Sequence, residues 1–195
     1  MITVKLNNNI NYIVSGLERS GTSMMMQILK AGGIPVAFDT SRSADESNPK
    51  GYYELEGGKI INKLMDGTFP IEKFKGKFVK ITAFGLQYLP RGTYKIIYLE
   101  RNLDEVLDSM EKMAQIKDEN REETRESFKK LNETIKREIQ TREDVEVLFV
   151  NYNELLKNPK SNIKKICDFI EVFDINEQKM IGTIDKKLYR QKRTA

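Results

Sequence analysis

Hydrophobic residues in this chain gather in short runs that alternate with longer amphipathic stretches. Four runs are rich in β-branched and aromatic side chains, and they span residues 11–14, 76–81, 94–99 and 145–150. Short apolar runs separated by helical patterns are typical of buried strands in a parallel sheet with crossover helices. The pattern therefore predicts an α/β fold with about four or five parallel strands flanked by helices.

The stretches between these runs favour helices. Helix-forming or amphipathic sequences predict helices over 24–30, 57–66, 102–114, 118–142 and 160–172. Asn102 is the predicted N-cap of the third helix, because Glu105 follows it in capping-box spacing. Residues 34–56 are predicted to form a loop, and an irregular segment of this length is often functional.

Length and composition limit the class of protein. A chain of 195 residues has the usual size of one domain, so we expect a single domain over residues 1–195. The sequence shows no apolar run long enough to span a bilayer and no secretory leader. Its single cysteine excludes an intramolecular disulfide bond. These features predict a cytoplasmic protein without a membrane partner.

The net charge and the absence of histidine limit the ligands and the catalytic machinery that this protein could have. The net charge of +4 is spread along the chain, which fits an anionic ligand better than a nucleic acid. Because the sequence contains no histidine, it has no Ser-His-Asp or Cys-His machinery, and no zinc site is expected. Any general base must be Asp, Glu, Lys, Tyr or Cys.

The segment between the first predicted strand and helix has the pattern of a phosphate-binding loop. Gly16 and Gly21 have the separation found in the Walker A loop of NTPases, but Thr22 stands where that loop has lysine. The cation in this loop is Arg19. Its hydroxyl groups belong to Ser20, Thr22 and Ser23. A strand, a glycine-bracketed loop and a helix N-terminus together bind anions, so we predict a P-loop-like three-layer fold.

Two short motifs resemble a known family. Arg-Ser-Gly-Thr-Ser at 19–23 resembles the 5′-phosphosulfate loop of sulfotransferases that use 3′-phosphoadenosine 5′-phosphosulfate (PAPS). Arg101 and Ser109 resemble the 3′-phosphate motif of that family, in which an arginine precedes a serine by eight positions; Leu103 replaces the family's proline. The resemblance implies that Arg101 and Ser109 bind the 3′-phosphate. It also implies that the 5′-phosphosulfate is bound by Arg19, Ser20, Gly21, Thr22 and Ser23.

The predicted strand at 76–81 resembles the strand that carries the catalytic lysine of cytosolic sulfotransferases. Lys80 matches that lysine, and Leu89 and Pro90 downstream also resemble the family. Sulfuryl transfer builds charge on the oxygen that leaves with the phosphate, and an ammonium group stabilises that charge. The resemblance implies catalytic roles for Lys80 and Arg19, whereas Thr82 falls where the family has its histidine base.

The general base is therefore expected elsewhere. Some members of the wider family use a glutamate, and the 34–56 segment contains Asp45, Glu46, Glu54 and Glu56. A carboxylate accepts a proton from a substrate when burial raises its pKa toward neutral. We favour Glu54 as the base, because its aromatic neighbours partly exclude water, while the pattern leaves Glu56 open.

Two stretches near the C-terminus also resemble the family. Residues 150–159 resemble its Tyr-Glu-x-Leu-x-x-x-Pro stretch, which implies that Tyr152 approaches the adenine of PAPS. The basic tail resembles a C-terminal segment that closes over the 3′-phosphate, and its candidate ligands are Arg190 and Lys192.

These resemblances together imply a PAPS-dependent sulfotransferase that acts on a hydroxyl or amine of a small-molecule acceptor. The product nucleotide would be adenosine 3′,5′-bisphosphate (PAP), and cationic side chains rather than a metal ion would handle the charge. Two alternatives remain open at this point. One is a P-loop kinase that uses ATP and Mg²⁺, which Thr22 disfavours; the other is a non-catalytic nucleotide-binding relative, which the absent histidine keeps open. The sequence predicts no oligomeric state.

Overall fold

A parallel sheet organises the part of the chain that the computed structural model describes, residues 4–185 and Tyr189. Its strands are β1 (Asn11–Gly16), β2 (Val36–Ala37), β3 (Phe78–Lys80), β4 (Tyr94–Glu100) and β5 (Val145–Asn151). They lie in the order β2-β3-β1-β4-β5, and each adjacent pair is parallel. The predicted α/β fold with four or five parallel strands is confirmed.

Helices and short 3₁₀ turns connect the strands. The helices are α1 (Thr22–Ala31), α2 (Ile60–Met65), α3 (Leu103–Ala114), α4 (Arg121–Thr141), α5 (Tyr152–Lys157), α6 (Pro159–Ile170) and α7 (Glu177–Thr183). The 3₁₀ turns span Glu56–Gly58, Ile71–Phe74 and Ala83–Tyr88. Among the described residues, none of the helices combines the length and the apolar character needed to cross a membrane.

The sequence pattern misses strand β2, helices α5 and α7 and the 3₁₀ turns Ile71–Phe74 and Ala83–Tyr88, and it places the starts of α2 and α4 three residues too early. Strand β2 has two residues inside the predicted loop, and α5 and α7 are too short to show a clear period. The prediction of a helix over 57–66 is wrong at its beginning. Gly57 and Gly58 have φ angles of +61° and +87°, which lie outside the helical region, so α2 begins at Ile60.

Both faces of the sheet are covered, because successive residues of a strand point to opposite sides. On one face Val14 of β1 belongs to a core with Met25 of α1, and helices α6 and α7 join that core. On the other face Ile13 belongs to a core with Ile135 of α4. The sheet is therefore the middle of three layers.

The parallel arrangement brings the ends of three strands to one edge of the sheet. Strand β1 ends at Gly16, β3 ends at Lys80, and β4 runs directly into Arg101. The side chain of Asn102 caps α3 by accepting hydrogen bonds from the backbone N–H groups of Asp104 and Glu105, at 2.9 and 3.3 Å. Ligands of open α/β sheets bind at this edge.

Candidate functional site

Two positions in the loop between β1 and α1 have backbone angles and close neighbours that only glycine tolerates. Gly16 has a φ of +146°, and a Cβ there would lie 2.5 Å from the carbonyl oxygen of Leu99. Gly21 has a φ of +101°, and a Cβ there would overlap the ring of Tyr152. The loop thus packs closely against β4 on one side and α5 on the other, and the N-terminus of α1 lies beside it. The exposed N–H groups of this helix end favour an anion.

A cavity of about 350 Å³ lies at this edge of the sheet. Its lining brings together most of the residues that the sequence predicts for the site: Arg19, Gly21, Thr22, Ser23, Glu54, Lys80, Arg101, Ser109 and Tyr152. Thr82, at the position of the family's histidine, lines the same cavity. Arg190 and Lys192 lie outside the described residues.

Ser20 differs from the other predicted loop residues. Its side chain is completely buried and is not part of the cavity lining. Its Oγ faces Gly16, where an added Cβ would lie 2.5 Å away, and its backbone N–H donates to the carbonyl of Leu17 at 3.2 Å. The Ser20 hydroxyl is therefore enclosed beside Gly16 without a hydrogen-bond partner among the described residues, and its role as a ligand stays a prediction.

Arg19 joins the loop to the two residues of the predicted 3′-phosphate motif. Its Nε donates a hydrogen bond to Oγ of Ser109 at 2.9 Å, and its carbonyl accepts one from Nη1 of Arg101, also at 2.9 Å. Burial lowers the pKa of Arg19 from its ordinary value, but a guanidinium stays charged at neutral pH. Two cations and a hydroxyl therefore lie together, although they come from distant parts of the chain.

Arg101 is held by an acid and an aromatic ring. Its Nε lies 3.1 Å from Oε2 of Glu105, and both side chains are almost completely buried. The guanidinium carbon lies 4.7 Å from the centroid of the Tyr152 ring, within the range of a cation–π contact. Tyr152 thus contacts both Gly21 and Arg101, and it links α5 to the predicted nucleotide site.

Lys80 ends β3 with its ammonium group among three acceptors. Its Nζ lies 3.0 Å from Oγ of Ser23, 2.6 Å from the carbonyl oxygen of Tyr52 and 2.8 Å from Oε1 of Glu54. Burial lowers the pKa of Lys80, and the charge of Glu54 opposes that shift. The lysine is therefore adjacent to both the predicted phosphate-binding loop and the favoured base.

Glu54 lies between two cations. Its Oε2 accepts a hydrogen bond from Nη1 of Arg42 at 3.1 Å, and the Arg42 guanidinium stacks on the ring of Tyr52 at 3.4 Å. The other proposed bases lie outside the cavity lining: Asp45 accepts a hydrogen bond from the Tyr52 hydroxyl, Glu56 pairs with Lys63 at the surface, and Glu46 is exposed. Glu54 is thus the best placed of the four carboxylates.

Sequence reasoning missed Arg42 and Glu105. Arg42 lies in an irregular segment, and nothing in its local pattern indicates that it meets Glu54. Glu105 did carry a signal, because it lies four residues before Ser109 within the helix predicted over 102–114, which places both on one side of that helix.

Comparison with known proteins identifies the family and similar folds. The sulfotransferase domain family matches residues 10–192. The sulfotransferase domain from the Synechococcus PCC 7002 olefin synthase has a similar fold, with a TM-score of 0.55 and 17% identity over 92% of this chain and 78% of that one. The mouse sulfotransferase SULT7A1, solved in complex with PAP, gives a TM-score of 0.51 and 17% identity over 92% of this chain.

This chain covers 64% of the mouse structure, which is slightly less than two thirds. Among curated protein sequences, none matches this chain significantly. The family match extends from the strand before the phosphate-binding loop to the basic C-terminal segment. This chain therefore belongs to the sulfotransferase domain family.

Proposed function

We propose that this protein is a cytoplasmic, PAPS-dependent sulfotransferase that transfers a sulfuryl group to a hydroxyl or amine of a small molecule. The observation that carries the proposal is the position of Lys80. Its ammonium group contacts Ser23 of the phosphate-binding loop on one side and the carboxylate of Glu54 on the other. A cation for the leaving oxygen and a base for the acceptor are thus adjacent.

The donor, PAPS, would bind along the edge of the sheet where the carboxyl ends of β1, β3 and β4 lie. Arg19, Thr22 and Ser23 would hold the 5′-phosphosulfate with the N-terminal N–H groups of α1. Arg101 and Ser109 would hold the 3′-phosphate, and Tyr152 would lie beside the adenine. The PAP bound to the mouse structural neighbour supports this class of donor.

The transfer would need no covalent intermediate. The acceptor oxygen or nitrogen forms a bond to sulfur while the bond from sulfur to the bridging oxygen breaks, and that electron pair stays on the bridging oxygen of PAP. Lys80 would stabilise this oxygen once its ammonium moves from Glu54 to the donor. Glu54, still held by Arg42, would take the acceptor's proton. The cationic side chains would do the work that a metal ion does in kinases.

Calorimetric titration with PAP, ATP with Mg²⁺, and AMP tests this proposal first, followed by a transfer assay with PAPS and a panel of small phenols, alcohols and amines. We expect PAP to bind, AMP to bind at least tenfold more weakly, and Arg101→Ala to remove most of this difference. Binding of ATP with Mg²⁺ but not of PAP would overturn the proposal in favour of a kinase. PAP binding without transfer to any acceptor would favour a non-catalytic relative.

A further inference from the structure

A carboxylate lies between the two predicted ligands of the 3′-phosphate. Glu105 is 1% exposed; it lies four residues after Arg101, which precedes α3, and one helical turn before Ser109. A negative charge at this position repels a phosphate, and its burial is costly unless its oxygens are well paired. Its presence therefore calls for a physical explanation.

The contacts of Glu105 come from three separate parts of the chain. Nε of Arg101 lies 3.1 Å from Oε2, and Nδ2 of Asn153 in α5 lies 3.3 and 3.2 Å from Oε2 and Oε1. The hydroxyl of Tyr189, beyond α7, donates a hydrogen bond to Oε1. Glu105 thus connects the end of β4, helix α5 and the C-terminal part of the chain.

These contacts fix the orientation of the Arg101 guanidinium. Its Nε edge faces Glu105, and its Nη1 donates to the carbonyl of Arg19 at 2.9 Å. The rings of Tyr152 and Tyr189 lie 4.7 and 5.6 Å from the guanidinium carbon. An arginine that is already oriented loses less conformational entropy when it binds a phosphate.

Burial, with the hydrogen bond to Glu105 in support, raises the pKa of Tyr189 to about 12. The hydroxyl therefore keeps its proton at neutral pH and acts as the donor in this bond. A tyrosine donor also leaves the ion pair between Glu105 and Arg101 intact.

We propose that Glu105 and Tyr189 are positioning residues of the nucleotide site, which hold Arg101 in the orientation that binds the 3′-phosphate. This inference rests on the proposed function, because it concerns the binding of PAP. It assigns a role in nucleotide affinity to the C-terminal Tyr189 that acts through Glu105 and Arg101.

If Glu105 acts through its charge, its substitution should change PAP affinity in the opposite direction from the change expected if it positions Arg101. This makes the inference testable. If Glu105 acted only through its charge, Glu105→Gln would tighten PAP binding, because a repulsive charge is removed. If it positions Arg101, the same substitution weakens PAP binding. Tyr189→Phe leaves the charge unchanged and removes the hydrogen bonds that the hydroxyl donates to Glu105 and accepts from Asn153, so it isolates the positioning effect.

The experiment is calorimetric titration of the full chain with PAP and with adenosine 2′,5′-bisphosphate, which has the same number of phosphates but places one differently. We expect Tyr189→Phe to weaken PAP binding about fivefold and Glu105→Gln about tenfold or more, the range expected for lost hydrogen bonds to a charged group. Binding of the 2′,5′ isomer should change less than twofold. In an Arg101→Ala background neither substitution should have a further effect.

Tyr88→Phe, at a tyrosine outside the site, is the matched control, and melting temperatures report whether each variant folds. Wild-type protein that fails to bind PAP would overturn the proposed function itself. Wild-type PAP affinity in Tyr189→Phe, tighter binding in Glu105→Gln, or equal losses for both bisphosphates would overturn the positioning role alone. If Glu105→Gln does not fold, Tyr189→Phe decides the question.

Discussion

Lys80 and Glu54 form a buried ion pair, with 2.8 Å between Nζ and Oε1 and side chains that are 6% and 13% exposed. Lys80 ends a central strand, whereas Glu54 lies in the irregular segment that follows β2. The pair therefore depends on how that segment packs across the edge of the sheet. A cation and a base predicted separately from the sequence lie in direct contact.

Substitution of Lys80 tests its role at the leaving oxygen. We expect Lys80→Met to lower kcat about 100- to 1,000-fold, because one donor to a developing oxyanion contributes about this much. The affinity for PAP should change much less. Initial rates with PAPS and titration with PAP measure the two effects, with Lys77→Met, at an exposed lysine on the approach to β3, as the control. A kcat within tenfold of wild type would contradict the catalytic role.

Glu54→Gln tests the base. The amide keeps the shape of the side chain but cannot take a proton, so kcat should fall about 100-fold or more. Glu56→Gln is the matched control, since Glu56 lies in the same segment and pairs with Lys63 at the surface. Equal effects of the two substitutions on kcat would remove Glu54 from the mechanism.

Gly21→Ala tests the contact between the loop and the Tyr152 ring. The added Cβ would overlap that ring at a φ of +101°, so we expect a loss of about 1–3 kcal/mol in the free energy of unfolding and a weaker PAP complex. Gly67→Ala is the control, because Gly67 has a φ of +73° with nothing within 4 Å of an added Cβ. Similar stability losses in both variants would show that backbone strain alone, and not the ring contact, restricts position 21.

Asp144 gives the fold a dependence on pH. Hydrogen bonds from Arg142, and further from the N–H of Gly92, lower the pKa of the Asp144 carboxyl below its ordinary value. Its stabilisation is therefore present above about pH 4 and is lost as the pH falls through the lowered value. Asp144→Asn should lower the free energy of unfolding by about 1–2 kcal/mol at pH 7.

The difference between wild type and Asp144→Asn should then shrink below pH 4, as urea unfolding at several pH values would measure. Asp168→Asn is the control, since Asp168 pairs with Lys164 on the exposed surface of α6. A difference of the same size at pH 3 and pH 7 would contradict the assignment.

Local features of the sequence account for most of the fold. The apolar runs predict four of the strands, because β1, β3 and β4 are buried on both faces and the edge strand β5 keeps its apolar residues at least partly buried. Asn102 predicts the start of α3 because its capping partners are its neighbours in sequence. Strand β2 was missed because two residues carry no period. Helix α7 was missed for a similar reason, since Met180 is its single buried residue.

The residues of the candidate site also divide into those that local sequence patterns predict and those that they do not. Lys80 and Arg101 are predictable because one ends a strand and the other follows one, and the parallel sheet brings such strand ends together. The contact of Arg42 with Glu54 depends on the path of the segment around residues 39–56, which no local pattern specifies. The inward rotamer of Ser20 depends on space beside Gly16, which the sequence does not show.

The ion pairs of the cleft also bear on how fast the proposed nucleotide would bind. Lys80 and Arg101 are each matched by a carboxylate of the same chain, so the cleft supplies its own counterions. Lys80 shares Glu54 with Arg42, however, and Arg19 contacts Ser109 rather than a carboxylate, so a positive charge remains and the association rate of PAP should fall as ionic strength rises. We expect selectivity among anions to depend on which ligand can displace Glu54 from Lys80 while Glu105 keeps Arg101 in place.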